Sequence, residues 1–159
     1  KQCALADYYR NIHLYFLKGE TGSELDTYAQ QRALMRSLPW NRKEWFHKIY
    51  LYFYSNYTRG QERQTPSFQI FYAEMQRCFP DGVPQEWKER FRAASLPLMK
   101  YTNILTFDTR VIVLFASLLA GMPWLFFIFE IGVLEPLRFY TRHVHESFCQ
   151  RFTKDLKNG

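Results

Sequence analysis

The residues best suited to chemistry in this 159-residue chain are the ionisable ones set among apolar neighbours. Asn103, Asp108 and Arg110 lie at the start of a long apolar stretch, where lipid or a dry core tolerates a charge only with a partner. Together they would line a polar cavity at a membrane interface, with Arg110 meeting a phosphate through charge-assisted hydrogen bonds and Asp108 orienting it. The plainer alternative is that Asp108 and Arg110 only close a polar helix before a span that starts at Val111. Glu130 and Glu135 divide in the same way, between inward-facing groups and a helix that ends early, and Glu135-Pro136 reads as a break or kink. His143, His145, Glu146 and Cys149 invite a metal reading. Residues two apart in a helix, however, point about 200° away from each other, so His143 and His145 do not share a site. No Gly-rich phosphate loop, HExxH, nucleophile elbow or supported Ser/His/Asp arrangement occurs.

A second chemical feature is the run Trp45, Phe46, Tyr50, Tyr52, Phe53, Tyr54 and Tyr57, interleaved with Arg42, Lys43, Lys48 and Arg59. Three uses fit it: stacking of nucleobases, an interfacial helix whose aromatics sit at headgroup level while its cations meet anionic lipid, or ordinary helix packing. Asn56-Tyr57-Thr58 matches a glycosylation sequon, but it lies in the basic half that charge places on the cytoplasmic side, so the match reads as accidental.

The elements that must position these residues are helical throughout, because apolar residues recur at spacings of three and four with no sustained alternation. Ala4, Leu5, Tyr8, Ile12, Tyr15 and Phe16 form one stripe, stopping near Lys18-Gly19. Ser23-Glu24-Leu25-Asp26 fits a capping box that opens a helix to about Leu38, which Pro39 closes. Asn41 caps the aromatic helix. Thr65-Pro66 and Val83-Pro84 place Pro where a first helical turn tolerates it, so helices begin at both. Cys78-Phe-Pro-Asp-Gly82 is turn chemistry between them.

Composition bounds the class. Thirty aromatics against fourteen Gly plus Pro exclude disorder and low complexity. Three cysteines at 3, 78 and 149 exclude a disulfide scaffold and a CxxC metal site, which makes a reducing compartment the default. The mean hydropathy of −0.36 looks soluble, yet Val111–Phe129 is 19 residues without a charge, enough to cross a hydrocarbon core of roughly 30 Å. Two architectures compete for it: one kinked span from about Val111 to Leu134, or a helical hairpin turning at Gly121-Met122-Pro123. Basic flanks favour the cytoplasmic side. Lys100 and Arg110 precede the run and Arg138, Arg142, Arg151, Lys154 and Lys157 follow it, so a hairpin puts both flanks on one face. The expected division is a basic, aromatic-rich cytoplasmic helical region over 1–100, a membrane hairpin over 101–142 and a basic cytoplasmic tail over 143–159. The chain opens Lys-Gln-Cys without Met or a leader, and its beginning is expected to lie upstream.

Several stretches carry a resemblance. Lys1-Gln-Cys-Ala-Leu-Ala-Asp-Tyr-Tyr-Arg10, Phe16-Leu-Lys-Gly19, Asn56-Tyr-Thr-Arg59 with Gln64-Thr-Pro66, Ser95 through Phe107, and Gly121-Met-Pro-Trp124 before Phe129-Glu130 resemble the C-terminal part of the CDP-alcohol phosphatidyltransferase family as it occurs in Bacteroidetes. The resemblance implies an all-α, six-helix enzyme of the bacterial inner membrane. Such an enzyme uses Mg2+ or Mn2+ to move a phosphoalcohol group from a CDP-alcohol to a second alcohol in phospholipid synthesis, releasing CMP. The family's signature, D-x2-D-G-x2-A-R-x8-G-x3-D-x3-D, is absent. The aspartates here are Asp7, Asp26, Asp81, Asp108 and Asp155, none suitably spaced, so no catalytic or metal residue carries over and the metal ligands would lie outside this chain. The implied partners are membrane lipid and the CDP-alcohol rather than nucleic acid, with a homodimer left open. Two other classes remain: a non-enzymatic membrane-anchored helical protein that binds anionic lipid or a partner, and a soluble bundle with long apolar core helices.

Overall fold

The structure, a computed structural model, describes residues 2–18 and 25–158. Among these residues it is all-helical and contains no strand. The order is α1 (Gln2–Lys18), α2 (Tyr28–Ser37), α3 (Trp45–Glu62), α4 (Pro66–Cys78), α5 (Gln85–Ile104), α6 (Phe107–Leu119), α7 (Trp124–Phe129), a π-helical turn (Glu130–Leu134) and α8 (Glu135–Asn158). Helices α1, α4, α5 and α8 form the body, with α1 against α5, α4 against α8 and α5 against α8; α2 pairs with α3, and α6 with α7.

Each start and stop has a local cause. The α1 stripe buries Leu5, Tyr8, Tyr9, Ile12, Tyr15 and Phe16, against Phe68, Phe71 and Met75 of α4, Phe91 and Leu98 of α5, and Phe148 of α8. Phe16 stacks on Phe91 at 3.9 Å, and Phe91 on Phe71 at 5.8 Å. Fully burying one such ring is worth roughly 1.5–3 kcal/mol. Of the capping box expected at Ser23, the first two residues lie outside the described residues. The box that opens α2 is Thr27 with Gln30, each side chain bonded to the other's backbone N–H. Asn41 acts one turn ahead of α3, its Oδ1 accepting from the backbone N–H groups of Lys43 and Glu44 at 3.1 and 2.9 Å. Pro66 is the first residue of α4, and Pro84 immediately precedes α5.

Between α5 and α6 the helix is interrupted at Leu105 and Thr106. There Thr106 turns extended and its hydroxyl donates to Asn103 O at 2.7 Å. The division expected at 100 thus lies inside α5, and the one expected at 143 lies inside α8. The residues expected to form a tail instead put His145, Phe148 and Cys149 into the body.

At the far end of α6 the chain reverses. Gly121 adopts φ +69°, with its N–H on Leu118 O at 3.0 Å and the N–H of Met122 on Ser117 O at 2.9 Å. This is a Schellman closure, which needs a left-handed residue and therefore favours glycine. Pro123 then fixes φ for the first turn of α7. From Trp124 the chain stays helical to Asn158, but Pro136 has no N–H to give residue 132. The widened turn over 130–134, closed by the Glu135 N–H on Glu130 O, takes up that missing donor.

Candidate functional site

Arg110 is the hub of the polar cluster at the joint between the body and the α6–α7 hairpin. Its Nε donates to Glu130 Oε1 at 2.6 Å. Nη1 donates to Leu105 O at 3.0 Å and Thr106 O at 3.4 Å, and also contacts Cys3 Sγ; Nη2 meets Gln2 Oε1. The Leu105 carbonyl closes α5 without a partner in that helix, and the Thr106 carbonyl is that of the N-cap of α6. A guanidinium one turn into the next helix caps them and places positive charge at the negative end of the α5 dipole. Gln2 passes the network on, its Nε2 donating to Glu135 Oε1 at 2.7 Å, while Glu135 Oε2 accepts from Arg138 at 2.6 and 2.9 Å. Beneath this layer lies a small apolar cluster of Ala6, Leu105 and Leu134. A cavity of about 390 Å³ opens between Gln2, Cys3, Arg110, Glu130 and Glu135.

The three residues expected to line one site separate here. Arg110 is half-buried at the hub, whereas Asn103 and Asp108 are exposed. Asp108 sits in the first turn of α6, where a carboxylate suits the helix dipole. Glu130, and not Asp108, is the carboxylate that holds Arg110. All three guanidinium nitrogens are engaged within the chain, so a phosphate oxygen would have to replace Gln2 or Cys3. With two arginines facing two glutamates the cluster is close to neutral, which suits a clamp between elements. Glu130 turns to the hub, and Glu135 lies at its rim with its side chain 38% exposed.

A second polar cluster lies inside the body. Tyr9 stacks on His145 at 4.2 Å, and His145 Nδ1 lies 3.6 Å from Glu146 Oε1 and 3.8 Å from Cys149 Sγ. Glu146 Oε2 accepts the Ser67 N–H at 2.6 Å in the first turn of α4, tying α8 to α4. Among the described residues Tyr9 Oη and His145 Nε2 have no hydrogen-bond partner. Burial pushes the Tyr9 hydroxyl and the Cys149 thiol well up, and it lowers His145 despite the neighbouring Glu146. Tyr8 rises to about 12, mainly through burial. His143 is exposed and His145 buried, on opposite sides of α8. Sequence spacing could not show this cluster, since it joins α1, α4 and α8.

The residues do not fit a divalent cation. Among the described residues no three of His, Cys, Asp and Glu are placed to hold a metal ion, and the carboxylates at the hub are committed to Arg110 and Arg138.

The exterior defines the class. On the α6–α7 hairpin Phe107, Ile112, Phe115, Leu118 and Leu119 are exposed on one leg and Trp124, Phe127, Ile128 and Ile131 on the other. Among the described residues one helical run, Gln85–Leu119, is long and apolar enough to cross a membrane, and little of its apolar window is buried. The chain is an all-helical protein with a candidate membrane-crossing segment. Comparison with family models, curated proteins and solved structures gives no significant match.

Proposed function

We propose that this chain is the C-terminal part of a membrane-embedded phosphotransferase, in which the α6–α7 hairpin and the helix ends that feed it cross the bilayer. The observation that carries the membrane reading is the uncovered apolar exterior of the hairpin, closed internally by the Arg110–Glu130 pair. Leg length decides where the bilayer edge falls. Helix α6 alone spans about 20 Å at 1.5 Å per residue, short of a core of roughly 30 Å. Counted at helical rise through the turn at 105–106, Tyr101 to Leu119 and Trp124 to Tyr140 reach at most about 28 and 25 Å. Tyr101 and Tyr140 meet edge to face at 5.5 Å, while Lys100 lies over Tyr101 and Arg138 over Phe139. Aromatics with snorkelling cations are the chemistry of a membrane interface. Arg110 and Glu130 then sit well inside the bilayer, where two separate charges would cost roughly 2.5–3.5 kcal/mol each and a pair with backbone and Gln2 contacts costs less.

The enzymatic part of the proposal rests on the resemblance to CDP-alcohol phosphatidyltransferases. The metal, Mg2+ or Mn2+, and the catalytic aspartates would belong to preceding helices. This chain would supply the last helices and the clamp that sets them against the rest. The reading frame upstream of Lys1 tests it. The two-aspartate signature, with CMP release from a CDP-alcohol by the complete enzyme in proteoliposomes, is the expected result. A frame without the signature, or no CMP release, leaves a non-enzymatic membrane-anchored protein.

A further inference from the structure

Helix α3 carries an apolar face that no other described residue covers. Its buried residues, Leu51, Ser55, Thr58 and Gln61, follow one side of the helix, and the Gln61 side chain donates to Ala4 O at 2.7 Å, beside Cys3 at the Arg110 hub. On another side Phe46, Tyr50, Phe53 and Tyr57 recur at four, three and four residues, and all are exposed, Phe46 and Phe53 by 70% and 67%. Trp45, Ile49 and Tyr52 widen the stripe, and Trp40 extends it from the preceding loop, 77% exposed. Met35, Trp40, Ile49, Tyr52 and Phe53 line an apolar groove of about 400 Å³, with the Lys48 stem along it. Scattered exposed apolar residues are ordinary on a protein surface, but a contiguous aromatic stripe is not.

Charge names the occupant. Residues 28–63 hold seven Lys and Arg against two Asp and Glu, a net +5 out of +6 for the whole chain. Several of these cations sit on the aromatics themselves: Lys48 Nζ lies 4.7 Å from the Trp40 ring, and Arg32 lies near both Tyr28 and Tyr52. Arg42 and Lys43 are exposed at the start of the stripe. Aromatic rings flanked by cations at one level match a headgroup layer, where rings settle at the boundary and cations meet anionic lipid. A protein partner would account for the stripe but not for the concentration of charge.

We propose that the α2–α3 hairpin is an anionic-lipid contact, with the Phe46–Tyr57 stripe seated at headgroup level of the bilayer. The contact adds to the membrane hairpin proposed above and is tested separately from it. The full chain is reconstituted into vesicles of phosphatidylcholine, with or without phosphatidylglycerol, whose acyl chains are brominated to quench nearby indoles. Subtracting the Trp40→Phe and Trp45→Phe variants isolates the α2–α3 signal, and Trp124→Phe isolates that of the α6–α7 hairpin. The expected result is a blue-shifted, lipid-quenched Trp40/Trp45 signal in the anionic vesicles. Arg42→Gln and Lys43→Gln should each shift seating about fivefold toward the free state. A water-like, unquenched Trp40/Trp45 signal overturns the proposal. So does protection from acrylamide without lipid quenching, which would mean that a protein surface, such as a second copy, covers the stripe. Equal quenching with and without phosphatidylglycerol overturns the role of charge. Quenching of Trp124 without Trp40 or Trp45 leaves the membrane hairpin standing and removes this contact; the reverse pattern does the opposite.

Discussion

Removing the Arg110 side chain should release the joint between the body and the α6–α7 hairpin. Arg110 and Glu130 are 15% and 24% exposed, so the pair is largely enclosed by the chain itself. Arg110→Met keeps the stem and deletes the fork. It leaves the Glu130 carboxylate without its cation, the Leu105 carbonyl at the end of α5 without its donor, and Gln2 Oε1 without a donor. Breaking a buried pair from one side costs about 3–5 kcal/mol, and a hydrogen bond to a charged group is worth about 1.5–3 kcal/mol. Allowing for partial exposure, a loss of about 3 kcal/mol follows for Arg110→Met. Glu130→Gln should cost about 1 kcal/mol, since Arg110 keeps its other acceptors and the amide still accepts. The double variant Arg110→Met/Glu130→Met should be less damaging than the sum of the single ones, because both charges leave together. Unfolding of the detergent-solubilised chain measures each, and hydrogen exchange at residues 2–5 reports release of the α1 end. A change below about 0.5 kcal/mol for Arg110→Met, or strict additivity in the cycle, would refute the clamp.

Further outcomes follow from other parts of the fold. Gly121 has φ +69° with open space around a built Cβ, so Gly121→Ala should cost about 1 kcal/mol from backbone strain alone. Gly60, within α3 and equally open, should gain about 0.5–1 kcal/mol as Ala; thermal unfolding of both variants checks the opposite signs. His145 and His13 are lowered by burial, so the unfolded chain takes up protons before the folded one. Stability is then full above pH 6.5, the ordinary histidine value, and falls as pH drops below it. The slope of unfolding free energy against pH in that window should shrink in His145→Gln, and an unchanged slope would contradict the burial of a neutral imidazole. Cys78 is exposed while Cys149 is buried with its thiol pushed well up. A maleimide should therefore modify Cys78 in the folded chain and reach Cys149 only on unfolding, as read by mass spectrometry.

The helices were legible in the sequence because their signals are local. Pro66 and Pro84 start α4 and α5 as the missing N–H dictates, and the glycine of Gly121-Met122-Pro123 supplies the left-handed residue that the reversal of α6 requires. Three features were not legible, for the same reason. The break at Leu105–Thr106 goes with the burial of Leu105 against Ala6 and Leu134, which are brought to it only by the packed helices. The partner of Arg110 also depends on tertiary placement. Asp108 is near in sequence but lies round the helix, whereas Glu130 is twenty residues away and is brought back by the hairpin. Continuation of α8 past residue 143 was masked because its last turns are basic on the exposed side. The buried side, carrying His145, Phe148 and Cys149, reads as core only once α1 and α4 are set against it.

The central claim is that the legs over 101–119 and 124–140 carry the turn at Gly121-Met122-Pro123 across a bilayer from the body. Its most direct test compares Cys78, exposed at the end of α4, with a cysteine placed by Met122→Cys at the tip, using a membrane-impermeant maleimide on sealed vesicles of known orientation. Labelling is expected from opposite sides, with Cys78 reached from the face of the body and position 122 only from the other. Labelling of both from the same side, or of position 122 from neither, would contradict it.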